Sequence, residues 1–419
     1  MMRRRITLLL LLMLLFQSLW AADFGFIVDS SGGYGDDGNG MAMDFSSSLL
    51  PRFSALFSRN GGLYISAGFK ADYPSAVLES ELPFFIVPEL LRTELFWNFD
   101  SGNFRLGRMQ YSDPLGFIAD GLFDGIRLSL DSAAGIFSAG AWYTGFLYKK
   151  RANIAMTAGE MAYNSEDFDY NDFLNTYFAT RRVVSAIGWE HPSLGDLMRL
   201  RIAVLGQFAL PDEKLDRYVL PGAKSVALNS QYVAMKLTIP VKTLVFDLGG
   251  CFEINQNSAD DEIGMSMAGE AGFSWAPTIG SQFSLLGRFS SGVTEGTGFQ
   301  AFNPITTMPQ GNLLKPAFSG LSMVSLDYIA RLHQKISLSL AASTFVRSDL
   351  GTYSAYPAVG VDSDNYFLGT EFFGRVFWSP VSDIQVNLGG GAFLPLLGDV
   401  APEAGMLWRV ELNLILSLY

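Results

Sequence analysis

The last residues of the chain, 406–419, read MLWRVELNLILSLY and bear directly on the fold. Apolar side chains occupy every second position, while Arg409, Glu411 and Asn413 lie between them. A repeat of two is that of a β-strand, whose successive side chains point to opposite faces. In a soluble sandwich the apolar row would face the core, but in a membrane barrel it would face lipid and the charged row would face water. Periodicity alone leaves both folds open.

The connections between such strands alternate between tight turns and long loops along the chain. Short turns are predicted at residues 59–62, 100–103, 131–135, 191–195, 240–243, 276–280 and 379–383. The count is about 18 strands, with 16 possible, and bacterial single-chain barrels have an even number. Both chain ends then lie beside the short turns, which are periplasmic in such barrels, and the long loops are extracellular.

Tryptophan positions favour the membrane barrel. Trp97, Trp189, Trp275 and Trp378 each precede a predicted short turn by a few residues, which gathers them at one end of the molecule. Tryptophan rings settle at the level of the lipid headgroups, and membrane barrels carry such girdles. A soluble core gives no reason for this arrangement. We therefore predict an all-β fold, a closed antiparallel transmembrane β-barrel, with these four residues as its membrane-interface aromatics.

The N-terminus has the layout of a secretory signal peptide. Arginines at positions 3–5 precede an apolar run at 6–16 and small residues before Ala22. This run is shorter than the roughly 20 residues that a spanning helix needs. The prediction is a signal peptide at residues 1–21 and a single barrel domain at 22–419, exported to the outer membrane of a diderm bacterium.

Charge and composition argue against several classes of function. Without the signal peptide, 26 basic residues remain against 41 acidic ones, a formal charge of −15, which disfavours nucleic acid as a partner. One cysteine and two histidines indicate no disulfide, no tetrahedral metal site and no nucleophile–base pair. We expect no cofactor, no metal and no enzymatic activity. The glycine-rich SGGYGDDGNG at residues 31–40 is interpreted as a surface loop.

Two stretches carry a resemblance to a known family. They are LGRMQYSDPLGFIADGLFDGIRLS at 106–129 and YFLGTEFFGRVFWSPVSDIQVNLGGGAFLP at 366–395. The first is similar to a strand–loop–strand, and the second to the penultimate hairpin, of the eighteen-stranded alginate-export-type porins of diderm bacteria. The resemblance implies an outer-membrane porin with lipids, the barrel-assembly machinery and small solutes as partners. Alginate exporters imply an arginine-rich lumen, whereas here acidic residues offset the arginines.

The charged rows of the strands supply the candidate pore-lining residues. Both signs are present, so we expect a transverse field across the bore with little net selectivity. The candidates are Arg92, Glu94, Arg199, Arg201, Asp247, Glu253, Glu270, Arg288, Asp327, Arg331, Glu371, Arg375, Arg409 and Glu411.

A barrel of 16–18 strands holds water unless a loop plugs it. The predicted function is an outer-membrane channel, a porin for passive diffusion of small hydrophilic solutes. The alternatives are a transporter for hydrophobic or polysaccharide substrates and a structural or adhesive surface barrel without transport. Residues 294–319 contain many apolar side chains but only Glu295 and Lys315 as charges, so this loop is expected to fold into the barrel and narrow it. Packing over the outer rim is the alternative. The acidic runs Glu166-Asp167-Asp169-Asp172 and Asp260-Asp261-Glu262 are expected to be solvated loop charges, with weak calcium binding as the alternative.

Overall fold

The computed structural model describes residues 21–36, 40–74, 85–218, 228–257, 262–294, 299–350, 366–395 and 406–418. The predicted signal peptide lies outside the described residues except for Ala21, where the first strand begins. Asp260 and Asp261 of the predicted acidic runs also lie outside them. No helix among the described residues combines the length and the apolar character needed to cross a membrane.

Eighteen strands account for most of the described chain. They are β1 (Ala21–Asp36), β2 (Met41–Leu56), β3 (Gly61–Pro74), β4 (Phe85–Phe99), β5 (Gly102–Ser112), β6 (Asp120–Ser132), β7 (Gly135–Tyr143), β8 (Arg182–Leu194), β9 (Met198–Ala209), β10 (Leu228–Val241), β11 (Leu244–Asn257), β12 (Glu262–Thr278), β13 (Ser281–Ser290), β14 (Leu321–His333), β15 (Ile336–Arg347), β16 (Phe367–Val381), β17 (Ile384–Leu394) and β18 (Leu407–Leu418). Two short α-helices, α1 (Ala158–Ser165) and α2 (Phe173–Thr176), and two 3₁₀ turns, Tyr170–Asp172 and Leu215–Tyr218, lie between strands.

Each strand pairs antiparallel with its neighbours in sequence, and the first strand also pairs with the last. The β1–β18 ladder runs from Phe26 opposite Leu418 to Asp36 opposite Trp408. This pairing closes the sheet into a barrel and leaves no edge strand, which is the condition for a sheet in lipid. The predicted fold class is confirmed, with eighteen strands and not sixteen.

The predicted alternation of connections is also present. At one end, adjacent strands are joined by short turns such as 100–101, 242–243 and 382–383, and both barrel termini lie there. At the other end, the longest connections are 144–181 and 291–320. One turn was placed wrongly: β8 continues to Leu194, and the turn predicted at 191–195 follows at 195–197. A register shift between His191 and Leu194 accommodates Pro192, because a bulge tolerates a residue without an N–H.

The outer face of the barrel is apolar. In β18 the row containing Val410, Leu412 and Leu418 is exposed on the outside, with Leu412 53% exposed, while Arg409 and Glu411 lie on the inner face. Trp97, Trp275 and Trp378 are likewise exposed on the outer face near the short turns. Trp189 shares that level and donates its indole N–H to the carbonyl of Ala134 at 2.8 Å.

The interpretation of residues 31–40 as a surface loop was wrong for its first part. Residues 31–36 belong to β1 and pair with both β18 and β2. A Cβ at Gly33 would lie 2.1 Å from the guanidinium of Arg409, so glycine here makes room for a neighbouring side chain instead of forming a turn.

Candidate functional site

The inner wall of the barrel and the loops that fold against it form the candidate site. The strand register places the predicted pore-lining residues in the rows that alternate with the outer apolar rows, as Asp247 does between Phe246 and Leu248. Arg331 lies in the same kind of row but at the short-turn end, where it is exposed.

A group of cations lies over one buried carboxylate on β4. Glu94 bonds Arg92 at 2.7 Å and Arg105 of β5 at 2.9 Å. The arginine side chains are 42% and 40% exposed, while that of Glu94 is 2% exposed. Arg127 of β6 lies directly opposite Arg105 in the sheet. A solute in the lumen therefore meets guanidinium groups here, and the carboxylate lies beneath them.

The same arrangement continues along the wall to β13. Glu270 of β12 is buried and accepts from Lys236 and Arg288. Arg199 pairs with Glu190 at 2.6 Å, and Arg201 lies opposite Lys236 in the β9–β10 ladder. We call this stretch of wall the basic arc; it comprises Arg92, Arg105, Arg127, Arg199, Arg201, Lys236 and Arg288.

The facing part of the wall carries both signs in comparable exposure. Arg375 pairs with Glu411, and Arg409 pairs with Asp44 at 2.8 Å. The four side chains are between 29% and 43% exposed. This part of the wall, from β16 through β18 to β2, is called the mixed arc.

Three loops from the long-loop end fold into the barrel. Loop A (113–119) follows β5, loop B (144–181) follows β7, and loop C (291–320) follows β13. Loops A and C pack through aromatic rings: Phe117 contacts Phe318 and Phe302 at ring-centroid distances of 4.8 and 6.1 Å. The N–H of Ile305 donates to the carbonyl of Ile118, and the N–H of Ala155 in loop B donates to the carbonyl of Ile305. The three loops thus form one body.

Loop A is organised by a single carboxylate. Asp113 accepts the backbone N–H groups of Leu115, Gly116, Ile118 and Ala119 at 2.8–3.1 Å. Burial raises the pKa of Asp113, and the four N–H bonds oppose that rise by stabilising the carboxylate. Asp113 therefore fixes the backbone that presents Phe117 to loop C.

Loop C is held to the inner wall at two places. Glu253 of β11 accepts the N–H of Asn303 at 2.9 Å, and the hydroxyl of Tyr232 donates to the carbonyl of the same residue. Farther along, Glu371 of β16 accepts the N–H groups of residues 312, 313 and 314. Both glutamates face inward, but the loop covers them almost completely. Both residues were predicted to line the pore, but they hold loop C and are not exposed to the lumen.

Loop B is attached through a buried ion pair. Arg182 at the start of β8 bonds Glu160 of α1 at 2.5 Å, and Glu160 also accepts the N–H of Thr157 in a capping box. Tyr163, Phe168 and Tyr177 are buried. Glu166, Asp167, Asp169 and Asp172, which were expected to be solvated loop charges, are exposed, whereas Glu160 at the start of the same acidic segment is buried.

Sequence patterns predict part of this site. The repeat of two places the charged rows on the strands, and the apolar content of loop C predicts its inward turn, where Phe302, Ile305, Leu314 and Phe318 are buried. Loops A and B were not predicted as parts of the site, and Arg105, Arg127 and Lys236 were not among the predicted pore-lining residues. The alternation of buried aromatic and acidic residues in loop B was a usable signal. No group of three or more metal-ligating side chains occurs among the described residues.

Comparisons with known proteins identify the fold. No family model matches the chain, and no curated protein matches it. Among solved structures, the outer membrane protein OpdK of Pseudomonas aeruginosa is similar, with a TM-score of 0.61, 10% identity, and coverage of 96% of this chain and 99% of that one. OccK2 (OpdF) of the same organism has a TM-score of 0.61 at 12% identity, with coverage of 96% and 98%. A BenF-like porin from Pseudomonas fluorescens Pf-5 has a TM-score of 0.59 at 10% identity, with coverage of 96% and 100%.

At these identities the likeness concerns the fold. The chain shares the architecture of outer-membrane porins over almost its whole length. The finer resemblance to alginate-export-type porins is not supported by these matches.

Proposed function

We propose that this chain is an outer-membrane channel for passive diffusion of small hydrophilic solutes. The observation that carries the proposal is the inversion of the barrel: apolar side chains are exposed on the outside, while ion-paired charges line the inside. Such a surface requires lipid around the barrel and water within it. The short turns and termini would then face the periplasm, and residues 1–21 would direct export as a signal peptide.

The geometry of the lumen supports small solutes over polymers. The inner loops pack on the wall from β4 to β18, and their buried clusters include no inward side chain of β1–β3 in the described chain. The free path would therefore run along β1–β3, where Ser31 and Ser46 face inward and bond each other at 2.8 Å. A path on one side of a filled lumen disfavours polysaccharides, including alginate, and its polar lining disfavours hydrophobic cargo.

The charge of the wall favours anions. On the basic arc, Glu94 and Glu270 are buried beneath their partners. Glu190 beside Arg199 and Asp247 on β11 are partly exposed on the same wall, but the seven cations of the arc outnumber these two carboxylates. The mixed arc exposes both signs equally. The two arcs together would attract small anions more than cations, a revision of the expected weak selectivity. Vanillate and glucuronate, the ligands named for the OpdK and OccK2 (OpdF) structures, are both small carboxylates.

The remaining expectations follow from this role. The partners would be outer-membrane lipids, the barrel-assembly machinery and small solutes, and the protein would act as a channel and not as an enzyme. Single-channel recording of the reconstituted protein in planar bilayers, with ion and sugar series, tests the proposal. Stepwise conductance with a reversal potential on the anion side is the expected result. If correctly folded protein inserts into the bilayer but conducts no ions, the channel function is contradicted and the structural or adhesive role remains.

A further inference from the structure

Strands β4 and β5 pair over only part of their length. Their ladder runs from Phe99 opposite Gly102 to Thr93 opposite Arg108, although β4 extends back to Phe85 and β5 forward to Ser112. We call the space between residues 85–92 and 109–112 the seam. Unpaired backbone groups are not tolerated in lipid, so the seam needs other hydrogen-bonding partners.

Side chains replace the missing strand partners. The guanidinium of Arg108 donates to the carbonyl of Leu90, the hydroxyl of Tyr177 donates to that of Pro88 at 2.9 Å, and the hydroxyl of Tyr170 donates to that of Ile86. These are alternate carbonyls along one edge of β4. Both tyrosines belong to loop B, so the wall is closed here by side chains of a loop. Such contacts can break and let the wall open while the strand ladders stay intact.

The seam lies within the proposed membrane span. Trp97 marks the interface at the short-turn end, and Leu90 is seven residues farther along β4. With a rise of about 3.3 Å per residue and a tilt of about 40°, Leu90 is roughly 18 Å from that interface in an apolar band about 25 Å tall. The seam therefore opens toward the outer leaflet.

The outer face beside the seam is unusually polar. After Leu106 on β5 and Ile126 on β6, the next outward positions are Arg108 and Asp124, which pair at 2.7 Å. Arg108 is buried and also donates to the carbonyl of Phe146 in loop B at 2.8 Å. Charges that face lipid are costly, and here loop B shields them. The outward row of the wall thus holds a buried ion pair at this depth.

A cavity of about 210 Å³ lies in the seam. Its lining includes Leu90 and Leu122 from the outward rows, Glu89 and Phe123 from the inward rows, and Arg151 from loop B. Because residues from both faces of the wall line it, the cavity lies within the thickness of the wall, between the inner and the outer face. Arg151 pairs with Glu89 at 2.6 Å, as Arg108 does with Asp124, so the charges around it are balanced.

Size and lining define the ligand. A cavity of about 150 Å³ holds benzene, whereas drug-sized ligands need about 300–1,000 Å³. The seam therefore suits a single substituted ring. Its apolar side chains would contact the ring, and the balanced charges favour a neutral molecule. Gln110 donates its amide N–H to Asp120, which leaves its carbonyl oxygen to accept a hydrogen bond from a substituent.

We propose that the seam is a lateral portal that binds small uncharged amphiphiles, of the class of substituted phenols, and passes them between the outer leaflet and the lumen. This role is separate from diffusion along the bore, and it rests on the proposed function only for the membrane location.

Binding of 4-bromophenol to the full chain in lipid nanodiscs tests the proposal by calorimetry. Ala152→Trp fills the cavity from loop B, and Gly121→Leu fills it from β6, where an added Cβ meets only the ring of Phe123, at 3.9 Å. Saturable binding to the unmodified protein, weakened at least tenfold by each variant, is expected. The matched control, Ala162→Trp, adds the same side chain to an exposed position of α1 in the same loop and leaves binding unchanged.

A cellular assay tests passage. In a diderm host without its major porins, the unmodified protein should increase sensitivity to 4-bromophenol more than Ala152→Trp does, with equal ionic conductance in bilayers. No binding to the unmodified protein, or undiminished binding to both cavity-filling variants, overturns the portal. Protein that binds 4-bromophenol but conducts no ions would overturn the proposed channel and leave the portal standing.

Discussion

The carboxylate of Glu371 on β16 accepts the backbone N–H of Leu313 in loop C at 2.7 Å, three strands along the sheet from β13, where the loop begins. The same carboxylate accepts two further N–H groups, from Asn312 and Leu314. Three bonds to one charged group fix the far end of loop C, so the width of the lumen depends on this residue.

Glu371→Gln should loosen loop C. The amide has one acceptor oxygen and no charge, and a hydrogen bond to a charged group contributes about 1.5–3 kcal/mol. The population of channels with a detached loop should rise roughly tenfold or more. Single-channel records should show added flicker and a higher conductance level. Glu411→Gln, which touches Arg375 but no loop, serves as control. Records as steady as those of the unmodified protein would contradict the anchoring role.

Deletion of residues 298–311 should raise conductance several-fold. The deletion removes Phe302 and Ile305, which join loop C to loops A and B. Insertion and folding should be verified by heat-modifiable migration in gels. An unchanged conductance in a folded barrel would mean that loop C does not narrow the ionic path.

Arg199→Ser combined with Arg201→Ser should shift the reversal potential toward cations in a salt gradient. The change removes two cations from the basic arc, of which Arg199 is exposed and Arg201 partly buried, and leaves Glu190 without its partner. Arg59→Ser, in an exposed short turn outside the bore, is the matched control and should leave the potential unchanged. Equal potentials in all three proteins would place Arg199 and Arg201 away from the ionic path.

An epitope inserted after Asp167 should be labelled on intact cells. Asp167 is fully exposed in loop B at the long-loop end, which the proposed topology places outside the cell. An epitope at residues 59–62, in the first short turn, should react only after the outer membrane is permeabilised. Labelling of the second epitope alone on intact cells would reverse the orientation.

The sequence predicted the barrel because each strand must place one row in lipid and one in water. That requirement produces a repeat of two in stretches such as 406–418. The number of strands is even because the first strand pairs antiparallel with the last. The tryptophans also indicate where the membrane surface lies, because each ring favours the level of the lipid headgroups independently of its neighbours in the fold. These features are local, so they can be read without knowing which residues meet in space.

Contacts between distant segments could not be read in this way. Glu160 lies in an acidic segment of the sequence, and only the structure shows that it forms a buried ion pair with Arg182. Glu253 and Glu371 were predicted as pore-lining charges, but loop C covers them. A carboxylate on an inward row has the same local pattern whether it meets water or backbone N–H groups. Likewise, Arg108 occupies an outward position that the repeat assigns to lipid, yet loop B buries it.

The sequence by itself therefore determined the strands, their two faces and the alternation of short and long connections, because burial of apolar side chains in lipid or protein acts on each segment separately. It favoured an inward turn of loop C but left packing on the outer rim open. Only the tertiary structure decided how the inner loops join, which carboxylates hold them, and where the β4–β5 ladder ends. Those features depend on hydrogen bonds and ion pairs between residues far apart in the chain, such as Asn303 with Glu253 or Tyr177 with Pro88, and no local repeat encodes such partners.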